Sequence, residues 1–264
     1  MKIAVCIKQV PDTEARLRVG PDGRWIEEED LPFIINENDE FALEEAISWA
    51  EETDGEVTVF TLGPPRATEA LRKALALGAA EAVHLEDRSF QDGDAISTGR
   101  ALAAAISRGD FDLVFTGSQT DDLGFGATGS VLAEVLGWPH AWLVMGVELD
   151  DGEEALQVVR EMEGGMNQRI RVPLPAVIEV QAGINHPRYA SLRGIMKAKR
   201  KPIETPSPSD LGLDAQAVGA AGAGLELLSV SFPPSSEGAE LIEGEPEEAA
   251  AALVEKLEKE ARVL

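Results

Sequence analysis

Asp112-Leu113-Val114-Phe115-Thr116-Gly117 is followed directly by Ser118-Gln119-Thr120-Asp121-Asp122-Leu123-Gly124-Phe125-Gly126-Ala127-Thr128-Gly129-Ser130 and then by Val131-Leu132-Ala133-Glu134-Val135-Leu136. A short apolar run closed by Gly reads as a strand buried on both faces, the usual state of a central strand in a parallel sheet. The last stretch reads as a helix with no acid before Glu134. Its first free N–H groups and the positive end of its dipole are therefore open to an anion, with the Thr128 and Ser130 hydroxyls beside them. The small residues at Gly124, Gly126, Ala127 and Gly129 let a ligand approach the backbone, and Asp121 and Asp122 suit ribose hydroxyls or amide donors. On this motif alone a phosphate site and a glycine-rich surface turn without a ligand both fit.

The same strand-then-helix unit recurs upstream. Lys2 to Lys8 is a β-branched strand closed by the turn residues Val10-Pro11-Asp12, and Leu17 to Ile26 reads as a hairpin across Gly20-Pro21-Asp22-Gly23. Asn36-Glu37-Asn38-Asp39 then leads into a helix over Phe41 to Glu52, with Asn38 as the expected N-cap. Glu56 to Leu62 is a strand, Gly63-Pro64-Pro65 starts a helix that Gly78 stops, Ala82 to Leu85 is a strand, and Asp94 to Arg108 is a helix. Single helices between strands imply right-handed crossovers. The expected core is a doubly wound, mostly parallel, Rossmann-like sheet. Ligands of such sheets sit beyond the carboxyl ends of the strands, here after Lys8, Leu62 and Gly117.

Downstream, Gly137-Trp138-Pro139-His140 leads into a strand over Ala141 to Leu149, with His140 read as a packed core histidine. Asp150-Asp151-Gly152 turns into Ala155 to Glu161, Asn167 to Val172 and Ala176 to Val180, which read as antiparallel additions. Glu161, Glu163, Gly164 and Gly165 between them read as a charged turn. From Pro202 the composition changes. Thr205 to Ser209 and Gly219 to Gly224 are linker-like, Leu225 to Phe232 reads as one strand, and Pro246 to Arg262 as an amphipathic helix. Residues 1–201 thus form the expected core and 202–264 an extended C-terminal arm, which needs another subunit or the core to cover its apolar side.

Composition narrows the function classes. With 48 acidic and 23 basic residues the formal charge is -25, which disfavours nucleic acid as a ligand. No long uncharged apolar run suggests a membrane span, and the single Cys6 fits a reducing compartment, so a cytoplasmic protein is expected. CxxC, HExxH, G-x-S-x-G and Walker patterns are missing from the sequence, which makes hydrolysis and phosphoryl transfer weak readings.

Against that acidity, Gln181 to Lys201 is a basic island that carries the only Tyr. Pro187 makes a turn of Asn185-His186-Pro187. Tyr189, Leu192, Ile195 and Met196 then alternate with Arg188, Arg193, Lys197, Lys199, Arg200 and Lys201. The segment over 184–201 reads either as a basic helix face covering an acidic neighbour or as a recognition loop with apolar anchors.

The run Asn185-x-Pro187-Arg188-Tyr189-x-x-Leu192-x-x-Ile195-Met196-x-Ala198-Lys199, preceded by Val159-Arg160-Glu161-x-Glu163-Gly164-Gly165, resembles the signature of electron transfer flavoprotein beta subunits. The resemblance implies a recognition loop that docks flavin dehydrogenases through Arg188, Tyr189, Leu192, Ile195, Met196 and Lys197, with Leu192 as anchor. It implies an AMP wrapped by Gln119 to Ser130, aided by Cys6, by Asn36, Glu37, Asn38 and Asp39, and by Leu62. It also implies an alpha subunit that the arm embraces and that holds most of a redox FAD. Electrons would pass from acyl-CoA or similar dehydrogenases to the membrane-bound ETF-quinone oxidoreductase, with no catalytic acid or base on this chain and no insertion of it into the membrane. In bifurcating relatives the AMP pocket holds a second FAD. A universal-stress-protein-like nucleotide module is the alternative from another class.

Overall fold

The computed structural model describes residues 1–150, 152, 154–234 and 238–264. Its first half runs β1 Lys2–Cys6, β2 Gln9–Pro11, β3 Phe33–Ile35, α1 Glu37–Glu52, β4 Glu56–Leu62, α2 Thr68–Leu77, β5 Glu81–Leu85, α3 Ala95–Ile106 and β6 Leu113–Gly117. The second half runs α4 Thr128–Leu136, β7 His140–Leu149, β8 Ala155–Met162, β9 Met166–Pro173, β10 Ala176–Val180, α5 Leu192–Ala198, α6 Gly219–Gly222 and α7 Pro246–Lys256. Eight strands form one sheet in the order β5-β4-β1-β6-β10-β7-β8-β9. Every pair from β5 to β7 is parallel, and β8 runs antiparallel to both β7 and β9.

The alternation of side chains along each strand builds two cores. Ile3, Val5, Val57, Val59, Phe115 and Ile178 point to the face covered by α1 and α2, through Leu43, Ile47, Leu71 and Leu75. Ala4, Cys6, Phe60, Val114 and Val177 point to the other face, against Leu102 and Ile106 of α3 and Leu132 of α4. Each large side chain buried in these layers contributes roughly 1.5–3 kcal/mol. The fold is therefore doubly wound as expected, with all the carboxyl ends of β1, β4 and β6 on one edge.

Four local expectations give way. Ala176 to Val180 is no antiparallel addition: β10 inserts between β6 and β7, parallel to both, so the last strand of the core lies near its middle. Val10 and Pro11 belong to a small antiparallel pair, β2 with β3, and the hairpin at Gly20 is reduced to one bridge between Val19 and Ile26. α1 begins at Glu37, so Asn36 takes the N-cap position and Asn38 lies inside the first turn. No strand forms over Leu225 to Phe232. Asp151 of the turn after β7 lies outside the described residues; Asp150 beside it accepts from the N–H groups of Glu154 and Ala155 and from Arg171.

The start of the arm is anchored. His84 N donates to Glu204 O and Glu204 N to Ala82 O, Leu211 and Leu213 pack on the second core, Val218 is fully buried, and Gly224 N donates to Asp94 Oδ2. The stretches that read as linkers thus lie along α3 and β5. Beyond them Leu225, Leu228, Phe232 and Leu241 are exposed, and α7 has no buried residue. No helix among the described residues is long and apolar enough to cross a membrane.

Candidate functional site

At the carboxyl edge the chain rises from β6 into the loop that precedes α4, and the first turn of α1 holds this loop in place. Asn36 Nδ2 donates to Gln119 O at 2.9 Å while its Oδ1 accepts from Asp121 N at 2.9 Å. Asn38 Nδ2 donates to the same Gln119 O at 3.2 Å, and its Oδ1 accepts from Ala182 N at 2.8 Å. Asp39 spans two strands: Oδ2 accepts from Lys8 N at 2.7 Å and Oδ1 from Gly117 N at 3.0 Å. Burial pushes the Asp39 carboxyl up to about 7, against the pull of those two amides, the Asn36 side chain and the Lys8 charge. A Cβ at Gly117 would stand 2.2 Å from Asp39 Oδ1, so no other residue fits this crossing.

The two loop aspartates are taken up within the chain. Asp121 Oδ2 accepts from Glu37 N at 3.3 Å, and Asp122 pairs with Lys8 Nζ at 2.7 Å. Although burial opposes it, the charge and hydrogen bond of Lys8 hold the Asp122 carboxyl below its ordinary range. Of the two roles open to these residues, the structure realises the amide bond at Asp121 and adds a salt bridge at Asp122.

Beyond this stapled base the loop reaches α4. Ala127 at its N-cap position makes no side-chain cap bond, and the first turn holds no acid. Its N–H groups are therefore presented at the edge without a side chain to satisfy them. Ser130, expected to help a phosphate, instead donates its hydroxyl to Glu179 Oε1 at 2.8 Å, which leaves Thr128 as the remaining hydroxyl of that turn. Glu179 also takes His140 Nε2 at 2.6 Å, which makes His140 a hydrogen-bonded core residue. Gly124 and Gly126 adopt left-handed backbone, and Leu123 and Phe125 are exposed.

Cys6 and Leu62 end β1 and β4 on the same edge, so the expected nucleotide-binding residues converge from four elements. Cys6 is buried, and burial with the nearby Asp39 charge drives its thiol far above the ordinary range, so it is a packing residue and no nucleophile. Sequence reasoning missed Glu179, and its signal was a lone acid inside the apolar run Ala176-Val177-Ile178-Glu179-Val180.

A second cluster is gripped by the body of α1. Arg188 Nε donates to Glu44 at 2.9 Å, and its two terminal nitrogens reach Glu51 at 2.7 and 3.0 Å. Asn185 Nδ2 donates to Phe41 O and to Glu45. Ser191 caps α5 through Gly194 N, and Arg72 of α2 donates to Ala198 O and Lys201 O beneath it. The expected anchors project from this base: Tyr189 is 99% exposed, Leu192 84% and Met196 58%, while Ile195 is near 39%. Arg188 covers acidic residues of α1, as the first reading of the island expects, and the apolar side chains of Tyr189, Leu192 and Met196 are exposed. Glu163–Gly165 forms the tight connection of β8 to β9, and Glu161 accepts from Gln181, as suits a charged turn.

Fold and loop together define a doubly wound α/β protein whose carboxyl edge presents an uncapped helix N-terminus beside a separate, protruding apolar and basic segment. Residues 24–211 match the model of the electron transfer flavoprotein domain. The chain is 41% identical over 257 residues to the electron transfer flavoprotein subunit beta of Methylophilus methylotrophus, covering 97% of each chain. It is 38% identical to the subunit of that name from Thermoanaerobacterium thermosaccharolyticum, over 97% of this chain and 98% of the relative. It is 37% identical to the caffeyl-CoA reductase-Etf complex subunit CarD of Acetobacterium woodii, over 98% of both. The chain belongs to the electron transfer flavoprotein beta-subunit family, whose members are electron-transfer subunits that assemble with an alpha subunit.

Proposed function

We propose that this chain carries a structural AMP at its carboxyl edge. In this reading it passes electrons from flavin dehydrogenases, such as acyl-CoA dehydrogenases, to a membrane quinone oxidoreductase through a redox FAD held mainly by the alpha subunit. The observation that carries this reading is the uncapped first turn of α4 at the end of a loop whose base is immobilised by Asn36, Asn38 and Asp39. The N–H groups of Thr128, Gly129 and Ser130 would hold the phosphate. The backbone from Gly124 to Ala127, with the strand ends at Cys6 and Leu62, would line the rest of the nucleotide. AMP supplies binding energy and rigidity and no electron chemistry, so this subunit acts by positioning.

Arg188, Tyr189, Leu192, Ile195, Met196 and Lys197 form the dehydrogenase-docking surface in this reading. Its support is the pairing of a rigid base with exposed apolar anchors. The exposed apolar residues from Leu225 onward, with α7, are assigned to the alpha subunit, and the complex to the cytoplasm. The likeness to a subunit of a caffeyl-CoA reductase complex supports a second reading, in which the pocket takes a second FAD and the complex bifurcates electrons. Denaturing the purified complex and chromatographing what is released separates the two. One AMP and one FAD per heterodimer is the expected result, two FAD favours bifurcation, and a complex that releases one FAD with neither AMP nor a second FAD overturns the pocket.

A further inference from the structure

Glu179 lies in β10 with no exposed surface. Through Oε1 it binds the Ser130 hydroxyl and His140 Nε2, tying the sheet to the first turn of α4 and to the start of β7. Its Oε2 is buried and has no hydrogen-bond partner among the described residues. A bare carboxylate oxygen in such a place is costly unless a favourable field faces it. That field is the N-terminal end of α4, since a Cβ added to Gly129 would stand 2.5 Å from both Cγ and Cδ of Glu179. The carboxyl group therefore sits under this turn from the sheet side, while a phosphate would approach the same turn from outside.

A helix end carries the equivalent of about half a positive charge. Here a full negative group already faces it from within, and the group that offsets it, His140, is charged only when protonated. An anion arriving from outside meets a weakened field, and each further negative charge on it is repelled by the buried carboxylate. We propose that Glu179 is a specificity determinant of this site, selecting against adenine nucleotides more highly charged than AMP. This rests on the nucleotide reading given above.

The test uses the complex with its alpha subunit, freed of nucleotide and titrated calorimetrically with AMP, ADP and ATP. The wild type binds AMP more tightly than ADP and ADP more tightly than ATP. Glu179→Gln keeps an acceptor for Ser130 and removes the charge, and it narrows the AMP-to-ADP preference by roughly tenfold, the effect of one like charge within about a nanometre. Glu179→Thr serves as a second neutral replacement if the amide variant does not fold. AMP binding with the same AMP-to-ADP ratio in the wild type and a neutral variant overturns the role of Glu179 alone. A wild type that binds no adenine nucleotide overturns the nucleotide site and this role together.

Discussion

Two regions of the molecule are held by one helix in opposite ways. The first turn of α1 grips the loop before α4 through Asn36, Asn38 and Asp39, three buried side chains that all bond backbone groups. The body of α1 grips the segment after Ala182 through Glu44, Glu45 and Glu51, which bond the side chains of Arg188 and Asn185 and, at Glu44, the Arg188 backbone N–H; Glu44 is buried and Glu51 is exposed. In the loop the surface on offer is backbone, so its carbonyls and amides are pinned one by one. In the segment the grip of α1 falls on Asn185 and Arg188, and the apolar side chains of Tyr189, Leu192 and Met196 are left exposed. Buried clamps of the first kind are costly to break, whereas half-exposed ion pairs of the second kind contribute little to stability and serve mainly for orientation.

The largest effect expected from breaking this contrast is at Asp39. Asp39→Ala leaves Lys8 N and Gly117 N without their acceptor and lowers stability by about 3 kcal/mol in urea unfolding. Nucleotide content falls with it while dehydrogenase docking on the folded fraction is kept; loss of both would show that the two regions are coupled. The same carboxyl gives a pH signature. In the folded chain it titrates near 7 against a reference of 3.8, so between those values the native state holds a proton that the unfolded chain has released. Its contribution to stability therefore declines as pH rises from about 4 to about 7 and is flat above. The difference between wild type and Asp39→Asn across a pH series measures it, and a difference that rises with pH would contradict the assignment.

Next in size, Leu192→Ala weakens docking to a dehydrogenase by about 2 kcal/mol, roughly thirtyfold, with stability and nucleotide content unchanged. Unchanged electron-transfer kinetics with the dehydrogenase would remove Leu192 as an anchor. The smallest effect is at Arg188→Lys, which keeps the charge but loses the forked contact with Glu44 and Glu51. Docking slows by about 1 kcal/mol through loosened orientation of Tyr189 and Leu192, while the unfolding midpoint moves little. A midpoint shift as large as that of Asp39→Ala would erase the distinction between the two grips.

The sequence carried the layered core openly because its signals are local. Glu56 to Leu62 is a strand to the residue, and Asp94 caps the start of α3 through Ser97 N. The position of β10 is a different kind of fact: Ala-Val-Ile-Glu-Val has the composition of a buried strand, but nothing within it states which strands flank it. Leu225 to Phe232 fails for the converse reason, since its alternation suits a strand and no strand among the described residues pairs with it. At the site, capping rules pointed to Asn38, whereas its partners Gln119 and Ala182 lie far along the chain. The close approach of Gly117 to Asp39 was not legible, because in the sequence Gly117 reads only as the end of a strand. Nor was the capture of Ser130 by Glu179, because a local pattern cannot report what packs beneath it.

The late insertion of β10 bears on how the protein is born. A ribosome delivers β6 and β7 well before Ala176 to Val180, and until that strand emerges each presents an open row of amides and carbonyls to the other and to any neighbour. The two halves of the sheet cannot join in the order of synthesis; they wait for the strand that fits between them. A nascent or truncated chain ending before Ala176 is thus the form most exposed to edge-to-edge aggregation and to chaperone capture. The basic segment that follows β10 takes its place only once that joint has closed.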